Sequence, residues 1–158
     1  MKVIRKATYY TDGACSGNPG AGGWAYVEVL PCDSGIKTNI VTGTKKETTN
    51  NEMELTAVYM VLVKALKKNI KQVTIYSDSA YVVNAIAKGW LLNWKENGWL
   101  TKEGKPIKNK QIWEKMYNLL DVKNINAKMV KVKGHKDDVL NELADKSAVQ
   151  AKQRAMEE

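Results

Sequence analysis

The sequence predicts an α/β fold: a five-stranded mixed sheet with three antiparallel strands first, flanked by helices. Three observations carry this. The first 43 residues hold β-branched and aromatic runs separated by turn residues, and at Thr49 the apolar spacing changes to a helical period. Beyond that point short β-prone runs alternate with helical segments. With 158 residues, 44% of them apolar, the chain is long enough for one domain with a substantial core.

Val3 to Thr11 reads as a first strand stopping at Asp12-Gly13, and Gly17-Asn18-Pro19-Gly20-Ala21-Gly22-Gly23 reads as turn chemistry. Trp24 to Leu30 and Ile36 to Gly43 then predict two more strands, antiparallel to one another and to the first. Thr49-Asn50-Asn51-Glu52 fits a capping box, and Leu55, Val58, Tyr59, Leu62 and Leu66 recur at helical spacing, so a long helix runs to about Lys68. Val73 to Ser77 predicts a central strand, placed beside and parallel to the first by a right-handed crossover. Ser79 to Ala87 reads as a helix. Residues 88–110 form a basic, aromatic insertion holding Trp90, Trp94 and Trp99. A helix over about 110–120, a strand near 127–132, a loop over 134–139 and a last helix from about Leu140 complete the pattern.

Composition narrows the chemistry. The chain carries 25 basic and 17 acidic residues, a formal charge of +8, which favours a polyanionic partner, nucleic acid first. A merely soluble basic protein has the same composition. Cys15 and Cys32 are too few and too far apart for a CxxC pair or a disulfide framework, and read as reduced thiols of a cytoplasmic protein. The one histidine, His135, excludes a zinc site with several His ligands, so any metal must be held by carboxylates, which suits Mg²⁺ or Mn²⁺. Met1 to Tyr10 lacks the features of a secretory signal, and no apolar stretch approaches the roughly 20 residues of a membrane span.

Asp12 and Asp78 each stand at the end of a predicted strand. If those strands are parallel neighbours, both carboxylates emerge at one edge of the sheet, where open α/β sheets place their sites. Either residue alone also fits the preference of Asp for turns and N-caps. Glu54 shares a helix face with Val58 and Val61 and so points toward the sheet; alone, it also reads as a capping or helix-dipole glutamate paired with Asn51. Asp145 follows Asn141 by one turn and adjoins Ala144; in isolation it reads as a solvent-facing acid paired with a lysine. Converging carboxylates repel unless cations neutralise them, and two divalent ions about 4 Å apart both neutralise them and serve phosphodiester hydrolysis.

Tyr10-Thr11-Asp12-Gly13-Ala14-Cys15 with Gly17-Asn18-Pro19-Gly20, then Thr48-Thr49-Asn50-Asn51-Glu52-Met53-Glu54-Leu55, Ser77-Asp78-Ser79-Ala80-Tyr81-Val82, and Val132-Lys133-Gly134-His135 with Asn141-Glu142-Leu143-Ala144-Asp145 resemble type 1 ribonuclease H. The stretch at 88–110 resembles the basic handle of its cellular members. The resemblance covers essentially the whole chain and implies a ribonuclease H-like fold over residues 1–158, a single catalytic domain. It further implies that Asp12, Glu54, Asp78 and Asp145 bind two Mg²⁺ ions, with Mn²⁺ a substitute. The RNA strand of an RNA–DNA hybrid would be cut to 5′-phosphate and 3′-hydroxyl ends.

His135 matches the family's mobile-loop histidine, which shuttles protons or releases product. Asn18, Asn50 and Glu54 resemble its readers of the RNA minor groove and 2′-hydroxyls. Trp90, Thr49 and Asn109 match positions along the DNA-strand channel and phosphate pocket. Lys95 and the other handle lysines would supply phosphate contacts, while Trp94 and Trp99 read as core of the handle. Ala80 stands where relatives often carry Gln, and Lys46-Glu47 where they often carry Arg, so the phosphate pocket is either weaker or uses Lys46 as its cation. The expectation is a monomeric endonuclease with little sequence preference. The alternatives are a catalytically silent hybrid-binding module on the same fold and a 3′–5′ exonuclease of related fold.

Overall fold

The computed structural model describes residues 5–132 and 138–158. Three long strands come first, β1 (Lys6–Gly17), β2 (Gly20–Cys32) and β3 (Gly35–Thr48), followed by helix α1 (Asn50–Lys67) and strand β4 (Gln72–Ser77). Helices α2 (Ala80–Ala87), α3 (Trp90–Glu96) and α4 (Lys110–Tyr117) precede strand β5 (Asn126–Lys131), and α5 (Val139–Glu157) ends the chain. The strand order is β3-β2-β1-β4-β5. β1 to β3 pair antiparallel, whereas β1 with β4 and β4 with β5 pair parallel, so the mixed five-stranded sheet is as expected.

The first strand does not stop at Asp12-Gly13. It continues to Gly17 because the hairpin with β2 stays paired as far as Gly17 and Gly20, so Gly17-Asn18-Pro19-Gly20 makes the turn. Gly22 and Gly23, read as turn residues, lie inside β2, and their missing side chains make room for neighbours. A Cβ on Gly23 would lie 2.4 Å from the Lys152 backbone nitrogen and 2.5 Å from the Ala151 Cβ, so the glycine lets α5 sit directly on the sheet. Ala144, Ala148, Ala151 and Ala155 form the buried, close-packing stripe of that helix.

Helix α1 is anchored at both ends. The Thr49 hydroxyl accepts the Glu52 backbone N–H at 3.1 Å, so half of the expected capping box forms; the Glu52 carboxylate turns instead to the Thr48 hydroxyl and to Lys45 Nζ at 2.9 Å. Leu55, Val58, Val61 and Leu62 are fully buried on its sheet face, each contributing about 1.5–3 kcal/mol of transfer free energy. Beyond the last turn, Lys68 Nζ donates to buried Glu28 at 3.0 Å, and the Tyr9 hydroxyl donates to the same carboxylate at 2.8 Å. These contacts fix where the first turn of α1, and therefore Glu54, meets β1.

The segment 88–110 is built rather than loose. α3 carries Trp94 onto Trp113 with ring centroids 5.2 Å apart, Trp99 packs on Tyr117 at 6.2 Å, and a bridge joins Leu100 to Pro106. Trp94 and Trp99 thus pack inward, as expected. After Tyr117, helix α4 widens into a π-helical turn, Asn118–Val122, which the apolar spacing did not reveal.

Candidate active site

β4 ends at Ser77, while β1 continues alongside β2 alone. The parallel register pairs Tyr10 with Tyr76, so two residues further along Asp12 comes level with Asp78 at the mouth left by the end of β4. Asp12 projects to the α5 side of β1, since it alternates in phase with Ala14, the partner of Gly23. The next residue, Gly13, faces α1. A Cβ there would lie 2.4 Å from the Glu54 backbone nitrogen and 2.6 Å from the Met53 carbonyl carbon, so only a glycine lets the first turn of α1 come this close. Glu54 is thereby carried to Asp12 across the gap that β4 leaves open.

The outcome is a carboxylate cluster. One oxygen each from Asp12, Glu54 and Asp78 lies within 4.8 Å of the others. Asp12 is 4% and Glu54 8% exposed, whereas Asp78 opens to solvent. Asp145, on the exposed edge of α5 beside Ala144, lies outside this trio but comes within hydrogen-bonding reach of Asp12. Buried Glu54 Oε2 has no hydrogen-bond partner. A buried, unpaired carboxylate oxygen facing other carboxylates is unfavourable in a protein without a cation and suits a ligand to a hard divalent metal. The donor set is oxygen only, as the sequence predicts.

Both buried carboxyls are pushed above the ordinary carboxylate range. For Asp12 burial is the main cause; hydrogen bonding with Glu54 opposes it, Asp78 and Asp145 reinforce it, and the Gly13 N–H opposes it. For Glu54 burial again comes first, followed by Asp12 and Asp78, with the Gly13 N–H opposing. Groups whose folded pKa is raised stabilise the fold below their unfolded pKa, and that contribution is lost as pH rises through the folded value. The metal-free protein therefore loses stability at this cluster as pH rises from about 4 toward neutrality. Glu28 acts oppositely, because hydrogen bonds from Lys68 and Tyr9 outweigh its burial and hold it low. The check is urea unfolding with chelator across that range, comparing the protein with Glu54→Gln. The variant is expected to gain relative stability toward pH 7, and divalent metal should abolish the gain; a pH-independent difference would contradict this account.

Beside the acids lies a cavity of about 540 Å³ lined by Asn18, Thr49, Asn50, Asn51, Tyr81, Lys108 and Asn109. It brings together four of the residues expected to bind substrate: Asn18, Thr49, Asn50 and Asn109. Asn18 Oδ1 accepts the Asn50 backbone N–H at 3.1 Å, and the Thr49 oxygen is engaged by Glu52. That leaves the amide N–H groups of Asn18 and the Thr49 hydroxyl proton as donors, which suits a ligand rich in acceptors. Lys108, not Lys46, is the cation on the wall. Lys108 is one of the handle lysines expected to contact phosphate, and it stands on this wall rather than apart from it. Sequence reasoning passed over Asn51 and Tyr81; the proximity of Tyr81 to Asp78 in sequence was the available signal.

Trp90 and Lys95 do not line this cavity. Trp90, 37% exposed, stands on α3 with its ring 6.4 Å from Trp94, and Lys95 Nζ lies 5.0 Å from the centre of the Tyr117 ring. His135 lies outside the described residues. The nearest described residue on its C-terminal side is Asp138, which caps α5 by accepting the Asn141 N–H at 3.1 Å. Among the described residues, no helix is long and apolar enough to cross a membrane.

Residues 5–153 match the RNase H family. The chain is 45% identical over 145 residues to the ribonuclease H of Caldicellulosiruptor saccharolyticus, covering 92% of this chain and 94% of that relative. It is 47% identical over 141 residues to the ribonuclease H of a Thermoanaerobacter species, covering 89% and 86% respectively. It also superposes on the crystal structure of LC9-RNase H1, a type 1 RNase H with the type 2 active-site motif. That match has a TM-score of 0.84 and 26% identity, and covers 98% of this chain and 75% of the other.

Proposed function

Because this chain belongs to the ribonuclease H family, whose enzymes hydrolyse the RNA strand of RNA–DNA hybrids, we propose that Asp12, Glu54, Asp78 and Asp145 hold two Mg²⁺ ions for that reaction. The observation that carries the assignment is the buried Glu54 carboxylate, whose Oε2 has no hydrogen-bond partner and which offers an oxygen within 4.8 Å of carboxylate oxygens of Asp12 and Asp78. When bound, the two ions would neutralise the crowded charge and assist attack of water on the scissile phosphodiester, leaving 5′-phosphate and 3′-hydroxyl ends, with Mn²⁺ an alternative of similar ligand preference.

The protein's own groups divide the remaining work. Asn18 and Asn50, joined by a hydrogen bond at the start of α1, are assigned to reading the RNA minor groove beside Glu54. Thr49, Asn109 and Lys108, which line the donor-rich cavity, are assigned to a phosphate of the DNA strand, and Trp90 on α3 to a contact farther along that strand. His135 moves a proton or assists product departure. Residues 1–158 act as one catalytic domain, a monomer in the cytoplasm, and the free thiols of Cys15 and Cys32 suit a reducing compartment.

Exposed lysines at 95, 102 and 105 are assigned to affinity, since their segment, 88–110, holds no member of the acid cluster. Replacing all three with alanine is expected to raise KM and to lower the magnitude of the salt slope of binding by roughly 0.9 per lost phosphate contact. Turnover at saturation should survive. KM measured at several salt concentrations checks this, and parallel salt plots for the protein and the variant would contradict it. Circular, gapped and end-labelled hybrids test the reading as a whole: an endonuclease cuts the circular RNA strand, an exonuclease requires an end, and a silent binding module cuts none.

A further inference from the structure

Tyr81 enters the donor-rich cavity from the second residue of α2, three positions after Asp78. Its hydroxyl oxygen accepts the Trp113 indole N–H at 2.8 Å and the Asn109 amide N–H at 3.4 Å. An indole nitrogen can only donate, so the oxygen of Tyr81 must be its acceptor. Trp113 is fully buried and packs its ring against that of Tyr81, centroids 5.7 Å apart at 74°, so both the ring and the oxygen are fixed. The hydroxyl proton has no acceptor among the described residues, while the surrounding cavity wall offers Thr49 and Lys108 as further donors.

We propose that the Tyr81 hydroxyl is a direct donor to the substrate phosphate held in this cavity, oriented by Trp113 and Asn109. This rests on the reading of the cavity as a phosphate site and deepens it. A tyrosine whose oxygen already receives N–H donors has only its proton to offer, and an anionic oxygen is the partner that gains most from it. The arrangement also couples binding to chemistry, since Asp78 and Tyr81 flank the same helix start. A phosphate seated on Tyr81 fixes the duplex in register with the acids.

The test is a cycle between enzyme and substrate. A single uncharged methylphosphonate linkage is moved along the DNA strand, one position at a time, opposite a fixed cleavage position. With the unmodified protein, one position should raise KM sharply. Tyr81→Phe keeps the ring and is expected to raise KM on the unmodified hybrid by roughly 10- to 100-fold, the cost of a lost hydrogen bond to a charged group, with little change in kcat. On the variant, the sensitive linkage should then cost much less than it does on the unmodified protein. Equal costs on both proteins would overturn the role of Tyr81 and leave the cavity reading standing. The absence of any sensitive linkage would overturn the cavity reading and the inference together.

Because Tyr81→Phe leaves the buried Trp113 N–H without a partner and can lower stability, 3,5-difluorotyrosine at position 81 supplies a second measurement. It keeps the ring and the accepting oxygen but ionises at a lower pH. KM should rise as that phenol ionises against the phosphate, whereas a KM profile parallel to that of the unmodified protein would overturn the proposal.

Discussion

Asp12→Asn is expected to reduce hybrid cleavage by about 10³-fold or more, since the interactions between a divalent ion and a reacting phosphoryl oxygen are worth several kcal/mol of transition-state stabilisation. Asp12 is the residue in reach of every other member of the cluster: Glu54 and Asp78 share the trio with it, and Asp145 approaches it from α5. Hybrid binding should persist or tighten, because one negative charge fewer faces the phosphates. The same substitution should raise the melting temperature of the metal-free protein, because crowding of like charges is relieved at a buried position. Single-turnover cleavage, anisotropy binding and melting in chelator measure the three effects. Near-normal turnover in a folded variant, or a melting temperature that falls clearly without metal, would contradict the assignment.

Gly13→Ala should have the second largest effect, and through geometry alone. The added methyl would stand 2.4 Å from the Glu54 nitrogen and 2.6 Å from the Met53 carbonyl carbon, both backbone atoms that cannot rotate aside. Either α1 shifts or β1 bends. Overpacking of this kind costs about 1–3 kcal/mol or more, and the expectation here is the upper end, because α1 is held at its far end by Glu28 and Lys68. A shift of even about 1 Å separates Glu54 from Asp12 and is expected to cost roughly 10²-fold in turnover of the folded fraction. Urea unfolding and activity corrected for folded fraction are the measurements. Unchanged stability with unchanged activity would show that the close approach of α1 does not build the site.

What could be read in the sequence follows from which signals are local. Helix α1 was legible because Thr49 caps it and Leu55, Val58 and Leu62 repeat on one face, and Glu54 followed from its place on that face. The position of β4 beside β1 was legible from the crossover rule. The extent of β1 and β2 was not. Asp12-Gly13 and Gly22-Gly23 have the composition of turns, yet their glycines exist for neighbours far along the chain, Met53 and Glu54 for Gly13, Ala151 and Lys152 for Gly23. No local pattern records such a contact. The acids were legible because they stand in four motifs that resemble one family, and the structure draws three of them, Asp12, Glu54 and Asp78, into one cluster. Tyr81 was missed because its partners, Asn109 and Trp113, lie 28 and 32 residues away across the handle.

The most direct test of the central claim, hydrolysis of the RNA strand of a hybrid by metal held on carboxylates, is incubation with matched RNA–DNA, RNA–RNA and DNA–DNA duplexes, with Mg²⁺ and with chelator. The account predicts internal cuts in the RNA of the hybrid alone, abolished by chelator and restored by excess Mg²⁺. Cleavage of the DNA–DNA duplex, or hybrid cleavage that survives chelation, would contradict it.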